Sequence, residues 1–253
     1  MKIAIAGGTG VVGSYAADAA EAAGHDVVVL TRHSGVDVMT GEGLTAALDG
    51  ADVIIDTLNL FSLKGSVSKR FFATTARNLQ EAGHRAGVRH IVTLSILAVD
   101  RVPGYPYYAA KLAQEAATNR GPLPATILRA TQFHEFPAQI MQLSHRGPVA
   151  FVPRITSQPV AARTVGEHLV RLAAEQPGGV HELAGPGVHD IADLAKRTVA
   201  ARGLSFRVVG LRLPGKASRL MRSGALLATE ATTLDGPTFD EWLGSDDAKR
   251  IAL

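Results

Sequence analysis

Tyr107 and Lys111 stand four residues apart, so on a helix both project from one face. An ammonium close to a phenol favours the phenolate, which would let the tyrosine act as an acid or base nearer neutral pH. Three of the four tyrosines, Tyr105, Tyr107 and Tyr108, crowd into four positions, so ordinary helix packing would give the same spacing. Ser95 supplies a third group. It ends an apolar run that reads as a strand, where its hydroxyl would hold a carbonyl or hydroxyl oxygen; serine is also a common strand-end turn residue. The three together suit proton transfer to or from a small oxygen-bearing molecule. The nine histidines include no HExxH pattern and no other tight ligand spacing, so no metal site is expected.

Such groups need a scaffold, and the N-terminus offers one. Lys2–Ala6 is a short apolar run leading into Gly7-Gly8-Thr9-Gly10-Val11-Val12-Gly13, and an alanine-rich helical stretch follows from Tyr15 to Ala23. Strand, glycine turn and helix N-terminus in that order form an anion site, with backbone N–H groups pointing outward and the helix dipole favouring negative charge. Gly7 would permit the turn, Gly10 would let a pyrophosphate approach the backbone, and Gly13 would let the helix pack closely on its strand. A second strand, Val27–Leu30, ends in Thr31-Arg32-His33-Ser34. No carboxylate stands there for a ribose 2′-hydroxyl, whereas Arg32 would fork onto a 2′-phosphate, which favours NADP over NAD. Thr57 to Asn59, closing the strand Val53–Leu58, would pass beside the adenine-side ribose.

Apolar runs and helical stretches alternate through the first 130 residues. Val36–Val38 reads as a short third strand, Leu44 to Leu48 as a short helical face, Ser68 to Ala86 as a long helix, and Ile91–Leu94 as a fifth strand. Tyr108–Asn119 reads as a helix and Ala125–Leu128 as a sixth strand. The alternation predicts an α/β fold: a Rossmann-type, doubly wound parallel sheet covered on both faces and joined by right-handed crossovers. After Arg129 the rhythm becomes mixed, with Thr238–Leu243 resembling a capped helix that holds the only tryptophan. Residues 1–130, with contributions from about 149–183, are expected to form the dinucleotide-binding core. Residues 131–253 would form a mixed region with a small substrate lobe. With 46% hydrophobic and 19% charged residues, a packed core is expected. Cysteine is absent, which excludes disulfides and thiolate catalysis. The formal net charge is +3, with basic residues scattered, so neither a nucleic-acid face nor a membrane span of roughly 20 apolar residues is expected. A cytoplasmic monomer or homodimer acting on a small molecule fits this composition.

Gly7–Gly13, Ser95, Tyr107-x-x-x-Lys111, Gly50–Asp56 and Ile127–Phe133 resemble the short-chain dehydrogenase/reductase superfamily, and the layout is similar to its atypical, NmrA-like NAD(P)H-binding branch. The resemblance spans about residues 1 to 175. It implies that Tyr107 moves the proton, that Lys111 binds the nicotinamide ribose and lowers the tyrosine pKa, and that Ser95 polarises the substrate oxygen. Cofactor contacts are then expected at Gly7, Thr9, Gly10, Val11, Val12, Gly13, Arg32, Thr57, Leu58 and Lys111. The loop after the sixth strand, with Phe133 and His134, would lie near nicotinamide and substrate. The asparagine that active relatives often carry early in the long helix is replaced by Phe71-Phe72. The reading is an NADP(H)-dependent reductase acting on a carbonyl, quinone or activated double bond of a small apolar molecule. The alternatives are a non-catalytic NADP(H)-sensing regulator or assembly protein and a nucleotide-sugar epimerase or dehydratase.

Overall fold

The structure, a computed structural model, describes residues 1–62 and 64–250. Two compact units are present. One comprises Met1–Asp100, Tyr105–Arg129 and Arg163–His181; the other comprises Arg101–Gly104, Ala130–Ala162 and the chain from Glu182 onward.

Strands and helices alternate through the first half: β1 (Lys2–Ala6), α1 (Val11–Ala22), β2 (Asp26–Leu30), α2 (Leu44–Ala47) and β3 (Val53–Asp56). There follow α3 (Gly65–Arg85), β4 (His90–Ile96), α4 (Pro106–Arg120) and β5 (Ala125–Ala130). Next come α5 (Phe136–Ser144), β6 (His145–Arg146), β7 (Val149–Pro153), β8 (Thr156–Ser157), α6 (Ala162–Glu175) and β9 (Gly179–Ala184). The chain closes with β10 (His189–Asp190), α7 (Ile191–Ala201), β11 (Arg207–Leu211), α8 (Lys216–Arg222), β12 (Thr233–Leu234), α9 (Phe239–Leu243) and α10 (Asp246–Lys249).

The central sheet is parallel and seven-stranded, in the order β12-β9-β5-β4-β3-β1-β2. Ile3 to Ala6 and all of β3 are buried, as continuous apolar runs require when helices cover both faces of a sheet. The strand order reverses at β1, which pairs with β2 on one side and β3 on the other, Ala6 lying opposite both Leu30 and Asp56. Open α/β sheets bind ligands outside the carboxyl ends of the strands at such a reversal.

Val36–Val38 is not a strand. Gly35 takes the left-handed conformation (φ +77°), and the Asp37 carboxylate accepts from the Met39 and Thr40 N–H groups, which bends the chain at once. Only an isolated bridge from Asp37 to Glu42 remains. Val36 and Val38 are nevertheless buried beside Leu30, Leu44 and Leu79, so their apolar character serves a packed loop.

In the second unit, β6, β7 and β11 form a three-stranded sheet. Met141, Ala150, Val152, Ile191, Leu194, Phe239 and Trp242 cluster as its core. Helix α9 is capped by Thr238, whose hydroxyl accepts from Glu241 N–H while Glu241 accepts from Thr238 N–H, so the capped helix expected at Thr238–Leu243 is present.

Candidate dinucleotide and proton-transfer site

The glycine turn between β1 and α1 has three different demands. Gly7 needs its left-handed backbone (φ +82°), and a Cβ there would lie 2.8 Å from Thr57 Oγ1. A Cβ on Gly13 would lie 2.2 Å from the Gly7 carbonyl oxygen, so only glycine lets the helix sit this close to the turn. A Cβ on Gly10 would meet nothing nearer than that same oxygen at 3.2 Å, so Gly10 faces outward. Gly10 N–H donates to Gly7 O (2.9 Å), and α1 begins with no side-chain cap and no acidic residue in its first turn. Thr9, Gly10 and Val11 are exposed, whereas Val12 is buried and offers only its backbone N–H. An uncapped, acid-free helix start behind an outward-facing glycine fits a pyrophosphate.

Thr57 is fixed to this turn. Its N–H and its hydroxyl both donate to Ala6 O at 2.9 Å, and Leu58 N–H donates to Asp56 Oδ1 (3.0 Å). Thr57 and Leu58 therefore present surface, their donors being committed internally. On the other side, Arg32 is exposed in a single 3-10 turn, Arg32–Ser34, locked by reciprocal Thr31–Ser34 hydrogen bonds. Arg32 makes no ion pair among the described residues.

The structure separates the tyrosine, lysine and serine that the sequence groups. Tyr107 sits in the first turn of α4 and its hydroxyl donates to Asn59 Oδ1 (2.6 Å). Its ring packs near Phe61 (5.7 Å) and Phe72 (6.1 Å). Burial, and then Tyr105, push the phenol up to about 12, with the Asn59 bond pulling the other way. The expected depression by Lys111 is absent, because the ammonium points elsewhere. Lys111 Nζ donates to Leu94 O (2.7 Å) and Gln114 Oε1 (2.5 Å) and lies 4.7 Å from the centre of the Phe72 ring. Burial lowers Lys111 to about 8 against the pull of Asp56 and Glu115. Gln114 passes the connection on, donating to Asp56 Oδ2 (2.7 Å), whose carboxyl is raised by burial. Phe72, one of the two residues standing in for the family asparagine, thus contacts both the phenol and the ammonium. An asparagine does reach Tyr107, but it is Asn59.

Ser95 lies one residue before the end of β4 and is 3% exposed. Its hydroxyl donates to Glu115 Oε1 (2.5 Å), which also accepts from Arg129 Nε (3.0 Å); Arg129 Nη2 reaches Glu115 Oε2 (2.7 Å). Ser95 thus braces a partly buried, two-pronged ion pair and does not meet the Tyr107 hydroxyl. Gln114 and Glu115 have no place in the sequence reading, and Asn59, expected beside the adenine-side ribose, instead accepts from Tyr107. The signal for the first two is helical: both follow Lys111 by three and four positions, on its own face.

In the second unit, Phe133 is half-buried, its carbonyl accepting from Phe136 N–H. His134 is 1% exposed: Nε2 meets Pro237 O (3.1 Å) and the ring packs on Phe239 and Trp242, so the residue belongs to the core under α9. Burial drops His134 to about 4. Neighbouring Glu135, also 1% exposed, accepts from Ala162 N–H and is raised to about 7, chiefly by burial. Trp242 lies close enough to favour the Glu135 anion, yet neither Glu135 Oε1 nor Trp242 Nε1 completes a hydrogen bond.

A pH dependence follows. Because Glu135 binds its proton more tightly folded than unfolded, its contribution to stability is lost as pH rises from about 4.5 through 7. His134 acts in the opposite sense, costing stability as pH falls from 6.5 towards 4. Glu135→Gln should therefore gain stability relative to the parent on going from pH 5 to pH 8, by about 2–3 kcal/mol. Urea unfolding at both pH values measures this; an unchanged difference between variant and parent contradicts it.

An NAD(P)H-binding family model matches residues 7–176, and the chain belongs to that family. Solved structures share the fold. The Bordetella bronchiseptica enzyme WbmH in complex with NAD+ superposes with a TM-score of 0.72 at 14% identity, over 98% of this chain and 97% of that one. A short-chain dehydrogenase/reductase superfamily protein from Agrobacterium tumefaciens with bound NAD gives 0.68 at 20% identity, over 99% and 97%. A dTDP-4-dehydrorhamnose reductase from Bacillus anthracis in complex with NADP gives 0.65 at 14% identity, over 96% and 92%. No curated protein matches the chain. Among the described residues, no helix is long and apolar enough to cross a membrane.

Proposed function

We propose that the chain is an NADP(H)-dependent reductase of a carbonyl, quinone or activated double bond in a small apolar molecule. The observation that carries this is a continuous line of contacts. The phosphate turn at Gly7 abuts Thr57, and two residues on Asn59 accepts from the Tyr107 hydroxyl. A proton donor is thereby tethered to the segment that flanks the dinucleotide turn. Gly7, Thr9, Gly10, Val11, Val12 and Gly13 would hold the pyrophosphate, Thr57 and Leu58 would flank the adenine-side ribose, and Arg32 would take the 2′-phosphate. The bound dinucleotide would supply hydride. Tyr107 would supply the proton, and a phenol near 12 is fully protonated at neutral pH, which suits reduction over the reverse direction.

The sensor reading has one specific support: Lys111 and Ser95 are both turned into buried networks away from the Tyr107 hydroxyl. NADPH consumption on a panel of carbonyls and quinones decides between the two. Turnover on any member supports the reductase, and tight NADPH binding without turnover on the whole panel supports the sensor.

Arg32 tests the cofactor preference. NADPH is expected to bind more tightly than NADH, and Arg32→Ala should erase about 10–100-fold of that preference, the scale of a lost charged hydrogen bond. Equal affinities in the parent protein, measured calorimetrically, would refute NADP selectivity.

A further inference from the structure

In the second unit, a pocket of about 310 Å³ is lined by Arg154, Thr156, Asp190, Arg212 and Arg222. Three guanidinium groups face one carboxylate. Arg154 follows β7 and lies across β11, where Gly210 makes room: a Cβ there would stand 3.1 Å from Arg154 Nε. Asp190 and Asp193 approach its Nη1 at 3.6 and 3.8 Å. Asp190 is itself held, its other oxygen accepting from Ala192 N–H (2.9 Å) to cap α7. The other two cations have no such balance. Arg222 donates to the Leu213 carbonyl (2.8 Å) and its own carbonyl accepts from the Thr156 hydroxyl (3.0 Å), which fixes the rim of the pocket. Arg212 is exposed, and neither it nor Arg222 pairs with a carboxylate among the described residues.

We infer that this pocket binds a phosphate group. Two uncompensated guanidinium charges match the charge of about −1.5 to −2 that a phosphate monoester carries at neutral pH, and exceed that of a carboxylate. Planar forks also suit the tetrahedral array of phosphate oxygens. The volume corresponds to roughly ten waters, which leaves space for a small organic group beside the phosphate. All five lining residues belong to the second unit, so the inference stands independently of the reductase reading and of the glycine turn.

Calorimetric titration of the intact protein with inorganic phosphate, glycerol 3-phosphate and acetate, at one ionic strength, tests it. Both phosphates should bind saturably and acetate should not. Tighter binding of the ester identifies an esterified metabolite as the natural source, and equal binding identifies free phosphate. Arg212→Ala, which removes an exposed group with no carboxylate partner among the described residues, should weaken phosphate binding about 10–100-fold. Arg32→Ala, at the dinucleotide turn, should leave it unchanged. The assignment is overturned if acetate competes equally, if Arg212→Ala binds phosphate as the parent does, if Arg32→Ala removes the binding instead, or if no saturable binding occurs at millimolar phosphate.

Discussion

Tyr107→Phe is expected to lower reductive turnover by about 10²–10⁴-fold, the scale of a lost general acid, while leaving NADPH affinity nearly unchanged. The substitution removes the hydroxyl that meets Asn59 and keeps the ring that packs on Phe61 and Phe72. Tyr108→Phe should matter far less, since Tyr108 is buried against Tyr105, about 100° round the helix from Tyr107. Lys111→Ala should behave differently from both. It strips a buried cation from Gln114 and the Leu94 carbonyl and leaves Asp56 without its nearest positive charge, so stability falls along with activity. Steady-state kinetics beside thermal unfolding separate the three variants. Full turnover by Tyr107→Phe on a substrate that the parent reduces would remove the tyrosine from the chemistry.

Gly13→Ala and Gly10→Val should fail in different ways. At Gly13 the new methyl meets backbone atoms of the turn at 2.2 to 2.7 Å, which cannot yield as a flexible side chain would. A stability loss of about 1–3 kcal/mol is expected from overpacking, together with loss of dinucleotide binding as the turn shifts. At Gly10 a Cβ meets only the Gly7 carbonyl oxygen, at 3.2 Å, so Gly10→Val should lose less stability than Gly13→Ala yet bind no NADPH, its isopropyl group occupying the pyrophosphate's path. Urea midpoints and calorimetry on both variants check the contrast. A Gly10→Val protein that folds and still binds NADPH normally would leave the turn a purely structural feature.

The same contrast shows what sequence can carry. Glycine spacing between an apolar run and a helical stretch encodes a backbone requirement that is local, so the roles of Gly7 and Gly13 were legible directly. The sheet was legible for a related reason: strands buried on both faces leave continuous apolar runs. Val36–Val38 misled because two buried valines flanking a polar residue look alike in a strand and in a loop that covers the core. The pairing of Tyr107 with Lys111 was legible as spacing, but its electrostatics were not. Sharing a helix face does not fix where two long side chains end, and Phe72, Gln114 and Leu94 come from residues distant in the chain or from the helix's next turn. His134 and Ser95 were read from strand-end positions; their burial depends on α9 and α4, which no local pattern joins to them.

The doubled bond from Thr57 to Ala6 has a further consequence. Because the amide and the hydroxyl of one residue grip one carbonyl, the ends of β3 and β1 resist sliding past each other, and the Gly7 turn, set against Thr57, shares that restraint. A rigid rim of this kind lowers the ordering entropy that a ligand must overcome on arrival, so selectivity at this edge would arise from shape already in place. Adaptation to different substrates would then fall to the segment beyond Leu58, where Asn59 and Phe61 touch Tyr107 and, among the described residues, have no comparable bond to the sheet.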